Sequence, residues 1–281
     1  MNDTNADDKS DFSSQSDADY TVQAWRVAPG SSRTIDMTEV RELHIGLMGG
    51  QVSVVGHDGD DTRIEVDGVV HENVDISLDD GLLNINQPKM QFSRAFDSLK
   101  SVFGSSTKAS VHVLTPRGTK VKVGTKTAEV LVSDLTAGAT VNSATGEIQV
   151  NGVTGRIDIN SASGRVDVFD LDGRLEARTV SGEVTVMGSS DEIGVDTVSA
   201  DVLLDLSGHT SSISINSVSG NVTARLDADL GVAARLRSVS GWMRLFDGQA
   251  VKGGQTVETE GEATVRITSS SVSGDLTVMH R

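Results

Sequence analysis

Residues Val141 to Gly182 read VNSATGEIQVNGVTGRIDINSASGRVDVFDLDGRLEARTVSG, with glycines at Gly146, Gly155, Gly164, Gly173 and Gly182, nine residues apart. After each of the first four glycines comes a polar residue, an aliphatic, a polar residue and an aliphatic or Ala, as in Glu147-Ile148-Gln149-Val150. Alternation at a period of two is the signature of a strand, and each Gly-centred turn separates one strand from the next. Turns of two kinds take alternate places. One is Ser/Thr, Ala/Val, Ser/Thr, Gly, beginning at Ser143, Ser161, Thr179, Thr197, Ser217, Ser238 and Ser271, with spacings of 18, 18, 18, 20, 21 and 33 residues. The other carries Asp or Leu ahead of its glycine, as in Asp170-Leu171-Asp172-Gly173. The unit is therefore 18 residues, two strands and two different turns.

One such unit cannot bury its own apolar stripe, whereas a stack of them can. The predicted fold is all-β: a parallel β-solenoid of 18-residue two-strand coils, each residue i lying about 4.8 Å from residue i+18. Ile148, Val166, Val184 and Val202 form one inward column on this reading, and Ile157, Leu175 and Ile193 face it from the other sheet. The Ala or Val in the middle of each Ser/Thr turn is expected to close the corner from inside, with the hydroxyls stacked as ladders. Outward, Glu147, Arg165 and Glu183 alternate in sign as ladder neighbours should, while Arg156 and Arg174 stack as like charges. The bulky Trp242, Met243 and Phe246, in a stretch from Gly241 to Gly274 that loses the period, suit an end cap. A β-sandwich of nine-residue hairpins is the rival architecture, but it does not demand alternating turn types.

The chain divides into an acidic leader over 1–20, an irregular β region over 21–119 and regular repeats over 120–281. Asp79-Asp80-Gly81 is a hairpin-grade turn, so antiparallel pairs are expected to cap one end of the repeat. Phe92, Phe96, Leu99 and Phe103, spaced four, three and four apart, predict a short helix near 91–103, either packed over the sheet or free to dock a partner.

Composition narrows the function classes. Among 281 residues there are 29 Gly and nine aromatics (six Phe, two Trp and one Tyr), so hydrophobicity rests on small and β-branched aliphatics. The net charge of −16 opposes nucleic acid and anionic membranes. There is no Cys for a disulfide, a thiolate metal site or a thiol nucleophile. The first twenty residues hold six Asp and one Lys and no apolar run, unlike a signal peptide, and no stretch of about 20 apolar residues occurs anywhere. The expectation is a disordered leader and a cytoplasmic protein, with leaderless export left open.

The repeated Val-Ser-Gly-x-Val-x-Val and Gly-Arg-Ile-Asp-Ile pieces resemble a bacterial β-strand-repeat family of unknown function whose members carry an adhesin label. The match is closest from Val111 to Asp275 and extends back to about Thr34. The resemblance implies a β-solenoid-like fold and a bacterial, specifically actinobacterial, source; it brings no functional residues with it.

No catalytic, cofactor or metal residues emerge. None of His44, His57, His71, His112, His209 and His280 lies three to five residues from another. The loop His57-Asp58-Gly59-Asp60-Asp61 attracts attention as a calcium site but lacks the ligand alternation of an EF-hand, and the Ser/Thr turns lack the Gly-Gly-x-Gly-x-Asp of a calcium-binding β-roll. Asp158, Asp167 and Glu176 are the carboxylates a glycosidase reading would use, and they sit at outward strand positions. No cofactor is called for, and no Gly-rich loop precedes Lys-Ser/Thr. The expected function is a non-catalytic scaffold that binds an unidentified protein, in a cell-envelope or stress-response setting, with self-association through the solenoid ends open. A surface adhesin or carbohydrate-binding module is the second reading, and a polysaccharide-active enzyme the third.

Overall fold

The computed structural model describes residues 22–88, 107–261 and 264–281. The described residues form an all-β chain, without a helix, whose strands join one mostly parallel sheet. The helix expected near 91–103 lies outside the described residues.

The 18-residue register is present in the backbone pairing. Val130 lies beside Ile148, and Ile148 beside Val166. On a second ladder Val121 lies beside Ala139, and Ala139 beside Ile157, again in parallel. Along each rung the aliphatics point inward and are buried: Ile148, Val166, Val184 and Val202 on one ladder, and Ile157, Leu175 and Ile193 on the other, all belong to one continuous core. Alternation in the sequence thus becomes alternation of burial, as a pleated strand requires.

Both ends of the stack depart from chain order. Glu42–Leu47 runs between Leu82–Asn86 on one side and Lys120–Thr125 on the other. Gly50–His57 likewise runs between Lys108–Pro116 and Glu129–Ser133. At the other end Leu276–His280 is inserted between Val222–Leu226 and Trp242–Leu245. Thr264–Ser271 is inserted between the segment Ser212–Asn216 and Gly231–Ser238. The long gap in the turn spacing is explained by this: the chain builds the last rung at 231–245, reverses, and returns to fill the rung before it. The cap read from Gly241 to Gly274 is corrected accordingly. Trp242–Leu245 is terminal, but Thr264–Ser271 and Leu276–His280 are interior rungs paired on both edges.

Antiparallel strands cover what remains. Asp61–Val70 lies against Lys108–Pro116 and carries Arg33–Thr38 on its far side. Val74–Asp79 pairs with Leu82–Asn86 through the expected turn at Asp80-Gly81 and carries Gln23–Val27. At the opposite end the covering strands Val251–Lys252 and Thr256–Glu258 have only two and three residues, so little edge is left open for another strand.

The two corners solve the same turn differently. In the Asp/Leu corner the aliphatic is inside: Leu135, Val153 and Leu171 are buried. The residue just before it sits in the left-handed region, with φ 59° at Asp134, 61° at Gly152 and 48° at Asp170. Asp, Asn and Gly tolerate that region best, so these aspartates serve the backbone. In the Ser/Thr corner the first hydroxyl is inside, at Ser143, Ser161, Thr179 and Thr197. Ser161 donates to the Ser163 carbonyl (3.1 Å) and Thr179 to the Ser181 carbonyl (3.0 Å). The turn carbonyl needs a donor that an aliphatic cannot supply, so the hydroxyl takes the inside place. The Ala or Val that follows therefore points out, contrary to the inside position expected from the sequence: Val180, Val198 and Val218 are 51%, 46% and 50% exposed.

Glycine closes this corner. Gly182, at φ 124°, is in a backbone conformation that side chains rarely adopt, and a Cβ there would meet the Gly164 carbonyl of the next rung.

Two substitutions test these assignments. Val166→Asp puts an unpaired carboxylate into the inward column and is expected to cost about 3–5 kcal/mol in urea unfolding. At the other corner Asp170→Gly is expected to leave thermal stability within about 0.5 kcal/mol, whereas the β-branched Asp170→Val is expected to cost at least about 1 kcal/mol.

Candidate functional site

The outward columns beside the corners carry the charged residues that a catalytic or binding site would draw on. Arg165 stands between Glu147 (3.9 Å) and Glu183 (3.8 Å), matching the alternation in the sequence. The expected like-charge stack of Arg156 and Arg174 is relieved by carboxylates, since Arg156 pairs with Asp158 in its own strand (2.8 Å) and Arg174 with Glu192 one rung on (2.7 Å). Glu176 is held by Arg178 (2.8 Å), which also reaches Asp196 (3.6 Å). Two of the three carboxylates that a glycosidase reading would use are therefore ion-paired within their own strands. The third, Asp167, has its pKa raised by burial, with Glu147 and Glu183 adding to the shift and a hydrogen bond with Thr185 and the Arg165 charge opposing it. Asp167 is a partly covered carboxylate hydrogen-bonded to Thr185.

The loop from His57 to Asp61 folds onto itself. His57 Nδ1 accepts the Gly59 amide (3.0 Å), which leaves Nε2 to donate to the Asp61 carbonyl (2.9 Å). Asp58 is taken by Arg117 at 2.7 Å. Among the described residues no group of three or more His, Asp and Glu side chains is placed to hold a metal ion. His44 lies 2.7 Å from Glu42, whose other partner is Lys122 at 2.9 Å. Those two hydrogen bonds, Lys122 first, lower the Glu42 pKa. His280 stacks on Phe246 with centroids 3.8 Å apart, tying the last strand to the terminal rung.

A shallow depression of about 430 Å³ lies at the antiparallel end, lined by Gln23, Asp36, Met37, Thr38, Glu39, Asp61 and Leu78. It contains neither an aromatic wall nor a basic group.

The surface that sequence reasoning missed is on the Ser/Thr corner. Backbone bonds set the order of the turns there: Ser219 N donates to the Val198 carbonyl (2.8 Å), Val272 N to the Val218 carbonyl (3.2 Å) and Ser240 N to the Val272 carbonyl (3.3 Å). Val198, Val218, Val272 and Val239 thus follow one another along a single edge, with Val180 one rung earlier, and Val272 and Val239 are 53% and 76% exposed. The motif Ser-Val-Ser-Gly was visible in the sequence, but its outward direction follows only once the hydroxyl is known to take the inside place.

Stacked parallel rungs, two recurrent corners and charge ladders define a β-strand-repeat protein. The chain belongs to the Toastrack DUF4097 family, whose model matches residues 12–279. No curated protein matches it significantly. Similar solved structures include a candidate adhesin from Parabacteroides distasonis ATCC 8503, 16% identical over 94% of this chain and 98% of that one, with a TM-score of 0.43. A candidate lipid-binding protein from the same organism is 13% identical over 89% and 97%, with a TM-score of 0.44. A candidate cell adhesion protein from Clostridium sporogenes ATCC 15579 is 12% identical over 93% and 100%, with a TM-score of 0.31.

The two shifted carboxylates have opposite linkage to pH. The Glu42 pKa is lowered in the fold, so its contribution is present above the unfolded carboxylate pKa and is lost as pH falls through the folded value. The Asp167 pKa is raised, so its ionised form is a cost above the folded value that disappears on protonation. In melts between about pH 2 and pH 7, Glu42→Gln is expected to lower the melting temperature near neutrality, and Asp167→Asn to raise it by about 1–2 °C. Both differences are expected to vanish at the acid end.

Proposed function

We propose that the chain is a non-catalytic scaffold whose two ladders are the faces of a parallel β-solenoid with 18-residue two-strand coils, and that it acts by binding protein. The observation that carries this reading is the row of exposed valines on the Ser/Thr corner, one per rung, beside charge ladders whose members are largely paired with each other. Carboxylates at outward strand positions are held by arginines, either two residues away in the same strand, as Asp158 and Glu176 are, or one rung away, as Glu147, Glu183, Glu192 and Asp196 are, which leaves them poorly suited to acid–base chemistry. An apolar row on a straight edge has no such internal use, and exposed aliphatic surface is what protein contacts consume. The proposed setting is the cytoplasm, in envelope or stress-response duty, as expected from the sequence.

Crosslinking in the native cell, followed by purification of the tagged chain, tests the proposal. A covalent complex with protein, either the same chain or another, is the expected product, and recovery of uncrosslinked monomer alone contradicts it. Incubation with polysaccharides is expected to release no reducing ends, and release abolished by Asp167→Asn would replace the scaffold with an enzyme.

A further inference from the structure

We infer that the valine row is a contact between two copies of this chain. The inference rests on the protein-binding reading above and names its partner. Val180, Val198, Val218, Val272 and Val239 stand in that spatial order, although Val272 comes last in the sequence. The return of the chain through 264–281 is what places Val272 in the gap between Val218 and Val239, so the row is continuous up to the terminal rung. Toward the other end it shrinks to Ala162 and Ala144 and stops at Lys126.

The spacing selects the partner. Parallel rungs repeat at about 4.8 Å, whereas one face of an α-helix repeats at about 5.4 Å per turn and alternate residues of a single strand at about 6.6 Å, so either drifts out of step within a few residues. A second copy has the same repeat and stays in step along the whole row. The surface beside the row is shaped for it as well. Ser163, Ser181, Ser199, Ser219 and Ser273, each followed by Gly or Ala, form a low shelf against which a partner's valines can lie. A ridge next to a shelf is self-complementary under a two-fold axis.

Charge points the same way. With a net charge of −16, two copies repel each other over most of their surface. The valines and the hydroxyl-and-glycine shelf carry no carboxylate, whereas Glu147, Glu183, Asp201 and Asp275 directly follow the turns and border them, so like-charged chains approach best along the row itself. A basic partner would instead be drawn to the acidic columns. A strip of seven rungs, about 30 Å by 20 Å, covers about 600 Å² per copy and about 1,200 Å² in total, the lower limit for a specific contact. Association is accordingly expected to be weak, with a Kd on the order of 10–100 µM.

Sedimentation velocity of the full chain up to about 300 µM, at about 0.05 M and 0.5 M NaCl, tests this. The expected result is a monomer–dimer equilibrium that tightens with salt, because screening removes the repulsion between the net charges and the acidic borders while the valine ridge at the centre of the contact is uncharged. The double variant Val198→Asp/Val218→Asp is expected to stay monomeric with the parent's melting temperature, and Val198→Ser/Val218→Ser to weaken association at least about tenfold. A parent chain that remains monomeric throughout, or an Asp variant that dimerises like the parent, overturns the inference. A photo-crosslinker in place of Val198, activated in the native cell, separates this failure from that of the broader reading. A crosslinked homodimer supports the inference. Crosslinks solely to a different protein overturn it but keep the protein-binding reading, and the absence of any crosslink, with a monomeric parent chain, overturns both.

Discussion

No rung among the described residues buries its aliphatics alone: each is covered by the rungs on either side and by the facing ladder, and the rest of the structure depends on that constraint. A rung of five or six residues offers two or three inward aliphatics, far too few to fold alone, so burial comes from the column they make with the rungs on either side. Backbone bonding fixes the spacing of the column. At about 4.8 Å per rung each corner must trace the same path as the corner beneath it, because any side chain that leans along the stack collides with the next backbone. Gly182 against Gly164 shows the limit, since even a methyl group has no room there.

The same constraint governs where charged side chains find their partners. A residue that faces outward at one rung has its counterpart at the next, so charged side chains find partners along the ladder before they can gather around a ligand. Arg165 between Glu147 and Glu183, and Arg178 between Glu176 and Asp196, are used in this way. What the stack does produce is linear surface: rows of one residue type on one edge. The valine row is such a feature, and it arises because a buried hydroxyl must satisfy the turn carbonyl and thereby forces the next residue outward.

The sequence read well where information is local and repeated. The inward columns from Ile148 to Val202, the two turn classes, the alternating charges around Arg165 and the turn at Asp80-Gly81 are all set by neighbours within a few residues or one repeat, and periodicity displays them directly. It misread the direction of Ala144, Val180 and Val198, because apolar character favours the interior until the hydrogen-bonding needs of the corner are counted. It also missed the interleaved ends. Ser217-Val218-Ser219-Gly220, Ser238-Val239-Ser240-Gly241 and Ser271-Val272-Ser273-Gly274 are the same four residues, so nothing in them states which lies next to which. The order is decided by where the antiparallel returns at Val251–Lys252 and Thr256–Glu258 send the chain, a long-range outcome with no repeat to announce it. The valine surface was hidden for the same reason, since it is made by five turns from separate repeats.

The stacking order can be measured directly, since the chain has no cysteine of its own. Thr223 faces outward beside Thr277 in the next rung, while Arg244 lies one rung further on. Paired cysteines at Thr223 and Thr277 are within disulfide reach at one rung spacing, and cysteines at Thr223 and Arg244, about 9.6 Å apart, are beyond it. Mild oxidation followed by mass spectrometry is expected to give an intramolecular disulfide in Thr223→Cys/Thr277→Cys and free thiols in Thr223→Cys/Arg244→Cys. The reverse pattern would mean that the rungs stack in simple chain order, and would contradict both the interleaved end and the continuous valine row built on it.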